Sequence, residues 1–240
     1  MPKVRSIHRQ GGQMTQVRTF IAARMRVHGS RAERSTAARE RFTLLVHQCL
    51  AVVLLVLLSP TMLVVVACLW RADGLPVFFA HYRVGQDGRL FRCLKFRSMR
   101  RNADQLLARL LADDPAAAAE WQRDRKLTHD PRITAIGAFL RRTSLDELPQ
   151  LLNVVRGDMH LVGPRPVTVA ELSKYGDSRW HYVSVKPGMT GLWQVSGRND
   201  TSYEERVALD RHYVESRSLV SDVVILLRTV KVVLLREGAR

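Results

Sequence analysis

The feature that most constrains this chain is a run of 29 residues without a formal charge, Phe42–Trp70. As a straight helix that rises ~1.5 Å per residue, the run would be about 43 Å long, which is more than a hydrocarbon core of roughly 30 Å requires. A signal peptide fits poorly, because the basic region before the run is far too long and no small-x-small cleavage pattern follows it. The sequence therefore predicts a membrane helix.

The residues that flank and interrupt this run predict how it meets the bilayer. Residues 1–41 carry ten lysines and arginines against two glutamates, and further cations follow between Arg71 and Arg97. Because positive flanks stay on the cytoplasmic side, both ends of the run are expected there. Pro60 removes a backbone donor and Ser59 can satisfy a freed backbone group, so a bend here would let the helix enter and leave by one face. A tilted helix that crosses the bilayer with a tolerated proline kink is the alternative.

The charge of the chain predicts anionic partners. The formal net charge is +16, and half of it lies in residues 1–41, which lack sustained apolar periodicity and are expected to form a mobile basic arm on anionic lipid. A nucleic-acid arm is the rival interpretation, but only 7% of residues are aromatic, and base stacking needs aromatic platforms. The three cysteines show neither C-x-x-C nor Cys/His ligand spacing, so neither a disulfide framework nor a zinc site is supported.

The sequence from Arg71 to Arg240 predicts a compact α/β domain of short elements. Leu90–Phe96 alternates well enough for a strand. Helices are predicted at Asn102–Asp113, Ala116–Lys126, Asp146–Val155 and Tyr203–Ser216. The apolar stretch Asp222–Leu235 contains two cations, and it predicts either an interfacial helix with its cations toward lipid headgroups or a helix packed on the core.

The residues best suited to chemistry are the adjacent acids Asp146 and Glu147, which two arginines precede. Ser144 and Glu147 also match a helix capping box, a purely structural role, whereas Pro149 favours a helix that begins at Asp146. A carboxylate one turn after two arginines is held ionised, as a nucleophile or a magnesium ligand must be.

Basic residues suited to phosphate binding accompany these acids. Lys95 and Arg97 lie on the same side of the predicted strand, where two cations can grip a diphosphate, although a solvated basic edge has the same pattern. Arg165 stands between two prolines in Gly163–Pro166, and Arg198 lies in a second glycine-containing loop. No Walker loop, G-x-S-x-G, H-E-x-x-H or dinucleotide fingerprint is present in the sequence.

Taken in order, these segments resemble the bacterial sugar transferase family, the monotopic phosphoglycosyl transferases that start lipid-linked glycan assembly. The similarity extends from about Phe42 to Leu235, roughly four fifths of the chain. The matching landmarks are Leu58-Ser59-Pro60, Gly74–Phe79, Arg83–Gly85, Lys95–Met99, Asp130–Thr134, Arg142–Gln150, Asn153-Val154, Gly157–Met159, Leu161–Pro166, Lys186–Gly191, Gln194–Asn199 and Leu209-Asp210-x-x-Tyr213.

The resemblance implies transfer of sugar-1-phosphate from a nucleoside diphosphate sugar, a UDP-sugar, to polyprenyl (undecaprenyl) phosphate, with release of UMP. This reaction initiates exopolysaccharide, O-antigen or other glycoconjugate assembly. By the same similarity, Asp146 is the nucleophile that forms a covalent aspartyl-phosphosugar intermediate, and Glu147 helps to hold Mg²⁺. The residues implied to line the diphosphate site are Lys95, Arg97, Arg142, Arg165, Arg198 and Asp210.

The fold implied by the resemblance is an α/β, compact monotopic membrane domain with a re-entrant helix kinked at Ser59-Pro60, short strands and interfacial amphipathic helices. Three segments are expected: the basic arm 1–41, the membrane helix 42–70 and a catalytic domain 71–240 that faces the cytoplasm at the bacterial inner membrane. Since no bundle of apolar helices precedes the membrane helix, the compact single-domain form of the family is the better match.

Three features depart from the family pattern: Thr43 where an acid is usual, the spacing of Arg71–Gly74, and the alanine-rich insert Leu106–Lys126. The expected partners are a nucleoside diphosphate sugar, polyprenyl phosphate and anionic membrane lipid rather than nucleic acid. The sequence leaves open which sugar is transferred, which glycan pathway it serves and whether the chain is an oligomer. A membrane-tethered nucleic-acid or lipid-binding protein without catalysis is the alternative function.

Overall fold

The computed structural model describes residues 31–124, 127–197 and 201–235. Most of the basic arm and the predicted site residue Arg198 lie outside the described residues. The described chain divides into two compact units. The first unit contains the described parts of 1–58, 80–94 and 149–240, and the second contains 59–79 and 95–148.

The apolar run forms the greater part of a long helix, α1 (Arg31–Asp73), which includes Pro60. Among the described residues, α1 is the one helix long and apolar enough to cross a membrane, and only 11% of its most apolar window is buried. One long apolar helix combined with short strands and helices is consistent with a monotopic membrane domain. Ser59 and Pro60 are exposed and lie within the helical range, so the kink and the re-entrant course stay predictions.

Two short sheets are present in the described residues. Strands β1 (Phe78–Val84) and β2 (Leu90–Phe96) pair and are connected through the short turn Gln86–Gly88. Strands β3 (His160–Val162) and β4 (Gly188–Thr190) run parallel, with His160 opposite Gly188 and Val162 opposite Thr190. A Cβ on Gly188 would collide with the backbone nitrogen of Gly163, so the close approach here requires glycine.

The second unit contains α2 (Ala103–Asp113), α3 (Pro115–Asp124) and α4 (Ala135–Thr143). Thr134 caps the start of α4, where its Oγ1 accepts the Gly137 N–H, and Ser144 caps the end in the left-handed conformation with φ 57°. Gly137 is buried so closely against Ser98 that a Cβ would collide with the Ser98 carbonyl. The buried apolar residues of this unit include Val65, Leu69, Val77, Phe96, Leu140 and Leu148.

The first unit contains α5 (Gln150–Val155), α6 (Val169–Leu172), α7 (Arg179–Val183), α8 (Tyr203–Ser216) and α9 (Leu219–Leu235). Helix α8 starts with a capping box, in which Ser202 Oγ accepts the Glu205 N–H and Glu205 Oε2 accepts the Ser202 N–H. Asn153 in α5 is fully buried; its Oδ1 accepts the Leu94 N–H, and its Nδ2 donates to the Arg92 carbonyl. These bonds fix the end of β2 that leads into Lys95.

Helix α9 has two different faces. Asp222, Ile225 and Val232 are buried on one face, and Thr229 shares a hydrogen bond with Thr190 of β4. The other face carries exposed apolar side chains, namely Val220, Val223, Val224, Leu227 and Val230. One face therefore packs on the first unit, as one interpretation of the sequence expected, while the other face has the composition of an interfacial helix.

Candidate active site

The two acids lie in a short turn rather than in the predicted helix. Asp146 and Glu147 belong to a 3-10 turn, Leu145–Glu147, and α5 begins only at Gln150. The prediction of a helix from Asp146 to Val155 is therefore wrong at its start, because Pro149 occupies the position before the first helical residue and has no N–H to donate.

The capping-box alternative for Ser144 is also absent from the described structure. Within the described residues, the Ser144 side chain makes no capping hydrogen bond, because this residue ends α4 with φ 57°. The turn follows directly after the end of α4, and Asp146 within it is 7% exposed. A capping box therefore does not account for the two acids.

Lys95 contacts both acids. Its Nζ lies 2.6 Å from Glu147 Oε1 and 3.5 Å from Asp146 Oδ2, and all three residues belong to the second unit. Lys95 follows Leu94 near the end of β2, 52 residues before Glu147 in the chain. One ammonium group therefore offsets the repulsion between two adjacent, largely buried carboxylates.

The ionisation of Asp146 differs from the sequence expectation. Burial has the largest effect on the pKa of the Asp146 carboxyl and raises it. Lys95 lowers this pKa, the Glu147 carboxylate raises it, and Arg141 lowers it. The neighbouring cations act in the expected direction, but burial outweighs them because solvent that would stabilise the charge is excluded. The ionised carboxylate is consequently poorly solvated, which increases its reactivity as a nucleophile.

Arg141 is a site residue that the sequence reasoning treated only as a neighbour. Its Nε donates to Ser98 Oγ at 2.8 Å, and its charge acts on Asp146. Arg142, which the resemblance assigned to the diphosphate, is exposed on the next position of α4. The available signal was periodicity, since Arg141 lies one helical turn after Gly137 and shares the face that packs on Ser98.

The landmark Asp130–Thr134 supports this arrangement. Arg132 Nε and Nη2 donate to the two oxygens of Asp130 at 2.8 and 2.7 Å, and the Arg132 guanidinium lies 4.9 Å from the centroid of the Trp121 ring. The Thr134 N–H donates to the Ser98 carbonyl. Burial alone would raise the pKa of Asp130, but the hydrogen bonds from Arg132 hold it below its ordinary value. The segment therefore fixes Ser98, which in turn holds Arg141.

Arg97 binds the end of α1. Its Nη2 donates to the carbonyls of Asp73 and Gly74 at 3.0 and 2.7 Å and lies 3.2 Å from the Asp73 carboxylate. The strand ends at Phe96, and the guanidinium of Arg97, 9% exposed, satisfies the last carbonyls of the long helix. Its assignment to a diphosphate stays a prediction, as does that of Arg142.

Two predicted site residues belong to the first unit. Arg165 follows β3, and its guanidinium lies 6.0 Å from the centroid of the Trp193 ring. Asp210 is 2% exposed and accepts a hydrogen bond from Tyr175 Oη at 2.8 Å. Burial raises the pKa of Asp210 to about 7, against the opposing effects of Tyr175 and Arg165. Lys95, Arg97, Arg142, Asp146 and Glu147 all lie in the second unit.

The two acids are also candidate metal ligands. Among the described residues, no group of three or more His, Cys, Asp or Glu side chains could hold a metal ion. Mg²⁺, however, is commonly bound by one or two carboxylates, with water and substrate phosphates completing its shell. Asp146 and Glu147 fit that donor set, and Lys95, which now contacts both, would compete with the ion.

Comparison with known proteins gives the family. The bacterial sugar transferase family model matches residues 38–236. The chain is 48% identical over its full length to the UDP-galactose-lipid carrier transferase of Erwinia amylovora and 47% identical to the undecaprenyl-phosphate galactose phosphotransferase of Salmonella typhimurium. It spans 49%, about half, of the length of each of these relatives. It is also 48% identical to the exopolysaccharide production protein ExoY of Sinorhizobium fredii, over 79% of this chain and 84% of the relative. The chain therefore belongs to the bacterial sugar transferase family.

Proposed function

We propose that this chain transfers sugar-1-phosphate from a UDP-sugar to undecaprenyl phosphate and releases UMP, at the cytoplasmic face of the bacterial inner membrane. The names of the relatives support a galactose-containing donor, an undecaprenyl phosphate acceptor and a role in exopolysaccharide synthesis. The structural observation that carries the proposal is a buried carboxylate, Asp146, beside a second acid and a shared ammonium group.

The proposed chemistry has two displacements at one phosphorus atom. An Asp146 carboxylate oxygen attacks the phosphorus that bears the sugar, and the bond from that phosphorus to the UMP oxygen breaks, so that UMP leaves with the electron pair. An oxygen of undecaprenyl phosphate then attacks the same phosphorus and releases the Asp146 carboxylate. Neither nucleophile must lose a proton in the step, so the reaction requires cations rather than a strong general base.

The surrounding residues are proposed to bind and orient the phosphates. Lys95 can move its ammonium group from the acids to a phosphate oxygen, while Arg141 is held in place by Ser98. Glu147 would hold Mg²⁺, which when bound neutralises charge on the phosphates. Further diphosphate contacts are proposed for Arg97, Arg142, Arg165, Arg198 and Asp210, as the resemblance implies.

We propose the re-entrant course for α1 within the expected order of basic arm 1–41, membrane helix 42–70 and catalytic domain 71–240. The flanks of the apolar run support this course, because lysines and arginines precede Phe42 and follow Trp70, and positive flanks favour the cytoplasmic side. Periplasmic labelling of a cysteine at Ser30 would instead support the crossing alternative.

The proposed function is tested with purified protein, UDP-galactose, undecaprenyl phosphate and Mg²⁺, with UMP release as the readout. Asp146→Asn should abolish release, and the exposed Asp113→Asn should not change it. With UDP-galactose alone, the intact mass of the wild type should increase by one phosphosugar that is absent from Asp146→Asn. Wild-type UMP release by Asp146→Asn would exclude this residue as the nucleophile.

A further inference from the structure

Two adjacent polar residues, His47 and Gln48, interrupt the apolar run, and the proposed chemistry uses neither. His47 is 3% exposed, and Gln48 Nε2 donates to the Val155 carbonyl at 2.8 Å. Ala51, one turn after His47, is fully buried, whereas Val52 and Val53 are exposed. This half of α1 thus packs His47, Gln48 and Ala51 against the rest of the first unit and exposes Val52 and Val53, so the polar residues are explained by protein contacts.

His47 joins α1 to β3. Its Nδ1 accepts the Leu161 backbone N–H at 3.2 Å, and its Nε2 lies 3.3 Å from Asp222 Oδ2. A ring nitrogen that accepts a hydrogen bond carries no hydrogen, so the partners assign the neutral ring with its hydrogen on Nε2, on the side of Asp222. Protonation of Nδ1 would place an N–H against the Leu161 N–H and remove the bond to the strand.

The neighbours of His47 complete a buried polar group, called here the histidine cluster (His47, His160, Tyr213 and Asp222). The rings of His47 and His160 stack at 4.7 Å with an angle of 8°, and Tyr213 Oη donates to Asp222 Oδ1 at 2.8 Å. No member is more than 6% exposed. The cluster therefore connects α1 with β3, α8 and α9, all within the first unit.

Strand β3 leads directly into Gly163–Pro166, the loop that carries Arg165. We propose that His47 is a positioning residue: by holding Leu161 in β3, it fixes the loop through which Arg165 would meet the donor phosphates. The seating of the membrane helix would then control donor binding. The inference rests on the proposed function, because Arg165 is assigned to the diphosphate only there.

Acid should weaken the histidine cluster. The other charged groups that face it are Lys186, Arg217 and Glu40. Burial, followed by the neighbouring His47 and the two cations, lowers the pKa of His160 from 6.5 to about 3. A neutral buried histidine stabilises the fold fully above pH 6.5, and that stabilisation is lost as the pH falls from 6.5 toward 3.

The test compares His47→Leu, which has no acceptor, with His47→Asn, whose Oδ1 can replace Nδ1. Gln48→Leu is the matched control, since it removes a neighbouring bond from α1 that does not reach β3. In the full chain in lipid nanodiscs, His47→Leu should speed hydrogen exchange at Leu161 and raise the KM for UDP-galactose roughly five- to tenfold, as expected for one lost hydrogen bond. In His47→Asn, the exchange rate at Leu161 and the KM for UDP-galactose should return much of the way to the wild-type values. In Gln48→Leu, the same two quantities should stay near the wild type.

Equal exchange at Leu161 in all four proteins would refute the proposed hold on β3. Faster exchange at Leu161 with an unchanged KM would refute the connection between His47 and the Arg165 loop. A KM raised equally by Gln48→Leu would show that the effect comes from weaker packing of α1 in general and not from the bond between His47 and Leu161. Hydrogen exchange does not depend on turnover. If the wild type transfers nothing from any UDP-sugar, the proposed function fails while the exchange comparison still decides the role of His47.

Discussion

Replacing Lys95 by methionine tests whether one ammonium group supports both acids. The variant keeps the length and apolar stem of the side chain but removes the charge, so Asp146 and Glu147 face each other without their shared cation. Lys95 Nζ lies 3.5 Å from Asp146 Oδ2, and with an effective dielectric constant of about 20 the two charges attract each other by about 5 kcal/mol. Because the Lys95 side chain is 27% exposed, solvent screening reduces this to about 2–3 kcal/mol.

If that energy is available in the transition state, kcat/KM for UDP-galactose should fall about 30- to 150-fold in Lys95→Met. Lys95 also lowers the pKa of Asp146, so its removal raises that pKa further. The ionised carboxylate is the proposed reactive form. As the pH is lowered, activity should therefore begin to decline at a higher pH in Lys95→Met than in the wild type, and the difference in kcat/KM between the two should shrink at alkaline pH.

The assay is UMP release from UDP-galactose between pH 5.5 and 9, together with intact mass of the phosphosugar adduct. Arg92→Met is the matched control, because Arg92 is an exposed cation on the same strand. Lys95→Arg should retain part of the activity. A Lys95→Met variant within threefold of the wild type, with an unchanged pH profile, would refute the reasoning.

Three further predictions concern the surroundings of the acids and the buried carboxyl of the first unit. Arg141→Gln should lower kcat/KM for UDP-galactose at least tenfold more than Arg142→Gln, because of these two arginines only Arg141 is held by Ser98 near Asp146, the proposed nucleophile; equal losses would contradict this. Gly137→Ala should lower the free energy of unfolding by about 1–3 kcal/mol, measured as the unfolding temperature in detergent micelles, and an unchanged temperature would show that the helix can shift at no cost. The pKa of Asp210 is raised to about 7, so its contribution to stability is present at acid pH and declines as the pH rises through 7. Asp210→Asn should therefore reduce the decrease in unfolding temperature between pH 5 and pH 8, and an equal decrease in both proteins would contradict the raised pKa.

Local signals in the sequence were sufficient for several elements. The bounds predicted for β2, Leu90–Phe96, and for α8, Tyr203–Ser216, are confirmed. In α8 the reason is visible in the chain, because Ser202 and Glu205 form a reciprocal cap at the helix start. In β2 alternation is visible in the first half of the strand, where Phe91 and Cys93 are buried and Arg92 between them is exposed.

Other elements depend on contacts between distant residues. Strands β3 and β4 have three residues each, and β3 is buried throughout, so no alternation reveals their parallel pairing. The short helices α6 and α7 were likewise not predicted. The start of α5 was misplaced because Asp146 resembles a helix-initiating acid, whereas Pro149 delays the helix to Gln150.

The candidate site likewise contains residues that the sequence identifies and contacts that it does not reveal. The acids could be identified from their order in the chain and from the family resemblance, but the bond between Lys95 and Glu147 joins residues 52 apart. Arg141 is held by Ser98 across 43 residues, and no local pattern distinguishes it fully from the exposed Arg142. Likewise, the polarity of His47 within an apolar run has a reason only once Leu161 lies beside it.

The position of Lys95 has a consequence for the resting protein. In the proposed reaction, two acids side by side in a poorly hydrated turn would repel each other and strain the backbone each time the nucleotide and the proposed Mg²⁺ depart. Because Lys95 remains bonded to the chain, this counter-ion cannot diffuse away between turnovers. The turn that carries Asp146 can therefore keep its shape when empty and meet the next donor without first refolding.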